Sequence, residues 1–164
     1  MNGFTDVVRQ HQSMVFSLAY HFLQDRTLAE DVTQEVFLQL YREQDSLETE
    51  QHIRYWLRKV ASHRSIDAAR RRKYRPRLTL EEIREPAART DSRDPMLSET
   101  LRKLIATLPE TPRMIVVLRY QEDMDPSEIA DAMSMPVATV KSHLHRSLGM
   151  LREKMQRLKK EPVS

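Results

Sequence analysis

The sequence contains no cysteine, only two glycines and no apolar run approaching the roughly 18 residues that cross a bilayer. Without cysteine there are no disulfides, iron–sulfur clusters or thiolate zinc sites. A secreted disulfide scaffold is excluded with them. So few glycines argue against sheets built on tight glycine turns. The opening residues, Met1-Asn2-Gly3-Phe4-Thr5-Asp6, lack a basic stretch followed by an apolar one. No signal peptide is therefore expected, and the expected location is the cytoplasm. At 164 residues the chain is one ordinary domain or two small ones.

What is present is charge, unevenly placed. Asp25–Glu50 holds eight acids against Arg26 and Arg42, whereas Arg54–Arg77 holds ten Lys or Arg against Asp67 alone. Met135–Lys160 adds seven Lys or Arg against Glu153. Two basic blocks beside an acidic one suit a polyanion on two surfaces and a different partner on a third, although solvated helix faces have the same look.

Apolar spacing predicts an all-α chain of two small helical domains. Phe4, Val7, Val8, His11, Val15, Leu18 and Phe22 form a first helical stripe. Thr27 with Glu30 has capping-box spacing and predicts the start of a second helix, with Leu28, Val32, Val36 and Leu40 facing inward. Gln44–Gln51 reads as a loop. Ile53, Trp56, Leu57, Val60 and Ala61 open a third helix running into Arg70–Lys73, with the core expected around Trp56. From Tyr74 to Asp94 the periodicity fails around Pro76 and Pro86. This predicts a first domain at 1–74 and a linker at 75–94, with a short helical turn at Leu80–Arg84. Asp94-Pro95, Thr111-Pro112, Asp125-Pro126 and Met135-Pro136 each read as helix starts. They give a second domain at 95–158 and a tail at 159–164. Its stripes are Leu97, Leu101, Leu104, Ile105 and Leu108, then Ile115–Leu118, then Ile129, Ala130 and Met133, then Val140, Leu144, Leu148, Leu151 and Met155.

Ser127–Leu148 has the layout of a helix-turn-helix, a short helix followed by a longer basic one. Thr139, Lys141, Ser142, His143, His145 and Arg146 fall on the outward face of the second helix. Short polar residues there can reach base edges while Lys141 and Arg146 hold phosphates. Asp31, Gln34 and Glu35 share one face of the second helix, which by itself is simply the polar half of an amphipathic helix. Acid–base or metal chemistry on these carboxylates is discounted, because no His or glycine-rich approach converges on them. The helix 53–73 carries Arg64, Arg70, Arg71, Arg72 and Lys73 with His63 and Asp67 interleaved, a pattern suited to single-stranded nucleic acid.

In order, these segments are Asp31-x-x-Gln34-Glu35-x-Phe37, then Trp56-Leu57-x-x-Val60-Ala61-x-His63-x-x-Ile66-Asp67-x-x-Arg70. Leu108-Pro109, Glu128-Ile129-Ala130 and Pro136-Val137-Ala138-Thr139-Val140-Lys141-Ser142-x-Leu144-x-Arg146 follow. The series resembles the bacterial extracytoplasmic-function (group IV) RNA polymerase sigma factors of the sigma-70 family, from about Phe4 to about Met155. The resemblance implies a region 2 domain that binds the β′ clamp helices of core polymerase through Asp31, Gln34, Glu35 and Phe37. That domain would melt the promoter −10 element through His63, Arg64, Asp67, Arg70 and Arg71, with the 44–51 loop and the helix after it capturing a flipped base. A region 4 domain would bind the −35 element through Thr139, Lys141, Ser142, His143 and Arg146. Core polymerase (β′ and β), promoter DNA and an anti-sigma factor are the implied partners; no cofactor, metal, catalysis or membrane insertion is implied. The sequence departs from the family at His63, where Asn is usual, and at Met124-Asp125-Pro126, Ala138 and His143. A free-standing helix-turn-helix regulator is the alternative, distinguished by DNA recognition that needs no polymerase.

Overall fold

The computed structural model describes residues 3–73 and 95–160, and the regular structure among them is helical throughout. The chain divides into two compact units, Met1–Ala88 and Arg89–Ser164.

The first unit packs α1 (Gly3–Leu23), α2 (Arg26–Glu43) and α3 (Glu50–Lys73) against one another in all three pairings, with a 3-10 turn at Gln44–Ser46. Val15, Leu18 and Phe22 of α1 meet Val32, Val36, Phe37 and Leu40 of α2 in the core. Each large apolar side chain removed from water contributes about 1.5–3 kcal/mol. The inward face of α3 is made mostly of small residues: Leu57 and Ile66 are joined by Ala61, Ser62, Ser65, Ala68 and Ala69. Of the stripe expected from sequence, Leu57 and Ala61 are buried, whereas Ile53, Trp56 and Val60 are only half-buried. Successive helical residues point about 100° apart, so burying Leu57 leaves Trp56 at the edge of the packing. Trp56 is half-buried, and the core does not form around it.

Two helix starts in this unit also differ from expectation. α2 is capped by Asp25, whose carboxylate accepts from the Leu28 N–H at 3.0 Å, so Thr27 lies inside the helix. The start is moved upstream by Gln24, which turns the chain with φ 54° while its N–H closes back on the Tyr20 carbonyl at 2.7 Å. Asp25 thereby arrives extended and in place to serve an orphan amide. α3 begins at Glu50 rather than Ile53, because the Thr49 hydroxyl accepts from the His52 N–H at 3.0 Å. The expected 44–51 loop shrinks to the 3-10 turn and a few residues after it.

The second unit comprises α4 (Pro95–Ala106), α5 (Glu110–Tyr120), α6 (Pro126–Met133) and α7 (Val137–Lys160). α5 is its centre. Arg113 through Leu118 are all buried, which requires neighbours on every side, and α5 touches α4, α6 and α7. α5 starts one residue before Thr111, with Pro109 as its N-cap, so Pro112 sits in the first turn. That is no conflict, since first-turn amides have no partner inside a helix. α7 runs through Lys160, beyond the point expected for the tail. The linker at 75–94 with its Leu80–Arg84 turn, the Asp94 cap, the Leu97 side chain and residues 161–164 lie outside the described residues.

Candidate nucleic-acid and partner interfaces

In the second unit the site follows from local chemistry. Asp125 and Glu128 form a reciprocal cap: Asp125 accepts from the Glu128 N–H at 2.9 Å, and Glu128 accepts from the Asp125 N–H at 3.0 Å. Pro126 at the first helical position adds a preset φ. α6 ends at Ser134, which takes the left-handed conformation (φ 55°, ψ 50°), and the Met135 N–H returns to the Ala130 carbonyl at 3.0 Å. Serine does not announce such a turn, so sequence placed the turn without its conformation. Ile129, Ala130 and Ala132 of α6 and Val140, Leu144 and Leu151 of α7 are all buried, and the two helices pack together. Lys154 donates to the Thr107 hydroxyl at 2.6 Å, tying the far half of α7 to the turn before α5.

This packing leaves Thr139, Lys141, Ser142, His145 and Arg146 exposed along α7, with His143 half-buried among them. The Arg146 guanidinium lies 3.5 Å from His143 Nδ1. Burial, and secondarily the Arg146 charge, push the His143 pKa below its ordinary value of 6.5. The ring is therefore neutral at neutral pH, able to donate from one nitrogen and accept at the other. A donor–acceptor side chain flanked by cations suits base edges between phosphates.

In the first unit the expected residues are divided by the fold. Asp31 and Gln34 are exposed on α2 and Glu35 is partly so, but Phe37 is 6% exposed and belongs to the core. The outward face continues instead through Leu38 and Tyr41, 58% and 59% exposed, with Tyr41 edge-on to Phe4 at 5.1 Å. Sequence reading passed over these two. Their signal was that they are large apolar residues off the Val32–Val36–Leu40 stripe.

On α3, Lys59, Val60, His63, Arg64 and Asp67 line an open groove of about 330 Å³, closed on its other side by Gln39 of α2. Arg70 and Arg71 are exposed beyond it. Arg64, within the groove lining, and Arg72 are both tied across to other parts of the unit. Arg64 donates to Glu35 Oε2 at 3.1 Å and twice to Gln39 Oε1, at 2.7 and 3.0 Å. Arg72 donates to the Leu23 carbonyl at 3.0 Å and lies 3.9 Å from Asp25, bracing the α1–α2 corner. Among the described residues no cluster of three or more His, Asp or Glu is placed to hold a metal, and no helix is long and apolar enough to cross a membrane.

Residues 7–75 match the family model described as Sigma-70 region 2, and residues 98–151 match Sigma-70, region 4. The chain is 28% identical over 170 residues to the ECF RNA polymerase sigma factor SigW of Bacillus subtilis, covering 96% of this chain and 91% of that one. It is 30% identical over 158 residues to the RNA polymerase sigma-E factor of Streptomyces avermitilis, covering 93% and 85%. Among solved structures, the sigma factor RpoE in complex with the anti-sigma factor NepR from Bartonella quintana shares the fold, with TM-score 0.71 at 16% identity over 95% of this chain and 98% of that one.

Proposed function

The chain belongs to the extracytoplasmic-function RNA polymerase sigma factors, and from that premise we propose how its two units divide promoter recognition. A sigma factor is a non-enzymatic initiation factor: it binds core polymerase and directs it to promoters. The unit at 1–74 docks on the polymerase β′ clamp helices through Asp31, Gln34 and Glu35, with Leu38 and Tyr41 as the apolar part of the same face. Phe37 supports that face from beneath. His63, Asp67, Arg70 and Arg71, with the groove around Lys59 and Val60, meet the −10 element. The unit at 95–158 reads the −35 element, with Ser142, His143 and Thr139 at base edges and Lys141 and Arg146 on phosphates. The protein works in the cytoplasm with polymerase, and an anti-sigma factor holds it inactive between signals.

The helix-turn-helix carries this reading, because its exposed row combines neutral donor–acceptor groups with cations on a rigidly capped scaffold. Run-off transcription with reconstituted holoenzyme tests it. Promoter-specific transcripts that require both core and this chain are expected. Promoter-specific binding by the chain alone, indifferent to core, overturns it in favour of a free-standing regulator.

A further inference from the structure

We infer that Arg64, although it lies among the −10 residues on α3, serves the polymerase-binding face as a positioning residue for Glu35. The inference rests on the polymerase role proposed for α2. Three hydrogen bonds from one guanidinium bind Arg64 across to α2, one to Glu35 and two to Gln39. Gln39 in turn donates to Glu43 at 2.8 Å. Glu35, Gln39 and Glu43 are spaced four apart, so they form a ladder along one side of α2 with Arg64 fastened to its first two rungs.

The geometry determines what Arg64 does there. A glutamate on an isolated helix samples several rotamers, and ordering it on binding costs free energy. Arg64 holds Oε2 of Glu35, which leaves Oε1 to accept from an incoming donor. Glu35 is thus set before polymerase arrives. The pair is partly exposed, with side-chain accessibilities of 34% and 40%, so its worth as a stabilising ion pair is small. Its value lies in orientation, which the planar fork of arginine provides and the single ammonium of lysine does not.

The test measures affinity of the full chain for core polymerase in a double-mutant cycle. Arg64→Ala should weaken core binding by about three- to tenfold, the cost of one side chain left to be ordered. Arg64→Lys should recover little of it, and Gln39→Leu should reproduce part. In a Glu35→Ala background, Arg64→Ala should cost nothing further. Holoenzyme assembled at saturating core should bind a −10 single strand with an unchanged salt slope. Core binding by Arg64→Ala equal to wild type overturns the inference, as do additive effects in the cycle. So does a salt slope on the −10 strand shallower by about 0.7, the signature of one lost phosphate contact. If Glu35→Ala and Asp31→Ala themselves bind core normally, the polymerase face itself is misassigned. Normal binding by Arg64→Ala alone sinks only the positioning role.

Discussion

The two units are built by different kinds of contact. In the second, the bonds that shape the interface are mostly local: the Asp125–Glu128 cap, the Ser134 turn and the Arg119 guanidinium on the Met124 carbonyl span five residues or fewer. In the first, the shaping bonds join distant stretches. Arg64 reaches back 25 and 29 residues, Arg72 reaches back 49, and Gln10 donates to Glu50 across 40. A surface set by local capping keeps its form when a distant residue changes. A surface set by tertiary bonds moves as a whole.

The largest expected effect breaks the first unit alone. Phe22 is fully buried, and Phe22→Ala should cost about 3–5 kcal/mol. Hydrogen exchange should show protection lost across α1, α2 and α3 together, with α6 and α7 retaining theirs. Equal loss in both units would contradict the division.

Next comes the acidic face of α2. Asp31→Ala combined with Glu35→Ala should lower core-polymerase affinity by about tenfold to a few hundredfold, with the helical circular-dichroism signal unchanged. In the second unit, His143→Ala or Ser142→Ala should shift −35 base preference by about 1–3 kcal/mol at single positions. Lys141→Ala should weaken all promoters alike and make the salt slope shallower by about 0.9. Quantitative footprinting on a panel of −35 variants separates the two classes.

A smaller effect compares the two acidic caps directly. Asp125→Ala removes a purely local cap and should cost about 0.5–2 kcal/mol of second-unit stability. Asp25→Ala removes a cap that Arg72 also approaches, so it should disturb both α2 and the α1–α2 corner. Amide shifts confined to α6 in the first variant, and spread to Leu23 and Arg72 in the second, are expected.

The smallest effect is a pH dependence. His11 is buried, and burial outweighs the nearby Glu50 to push its pKa below 6.5, with Arg54 acting in the same direction as burial. The unfolded chain therefore takes up a proton first as pH falls. The stability linked to neutral His11 is complete above about pH 6.5 and is lost as pH drops toward the lowered folded value. Denaturation midpoints between pH 7.5 and 5 should fall in wild type and fall less in His11→Gln.

Local patterns alone determined a great deal here. Helix periodicity and the Asp125-Pro126 start were enough to place two all-α units and the helix-turn-helix with its outward row. These depend on residues within a few positions of each other, so their spacing in sequence is their spacing in space. The tertiary structure decided the rest. The backbone conformation of Gln24, which residue spacing does not reveal, moved the α2 cap from Thr27 to Asp25. The tertiary structure put Trp56 at the edge of the packing and Ser62, Ser65 and Ala69 inside it, because close approach of three helices favours small residues over an indole. It sent Phe37 inward, left Leu38 and Tyr41 outside, and tied Arg64, within the groove, to Glu35 and Gln39. Apart from the Asp25 cap, which is set by a local turn, each of these depends on which neighbouring helix lies within a few ångströms, and that neighbour lies well apart in the chain.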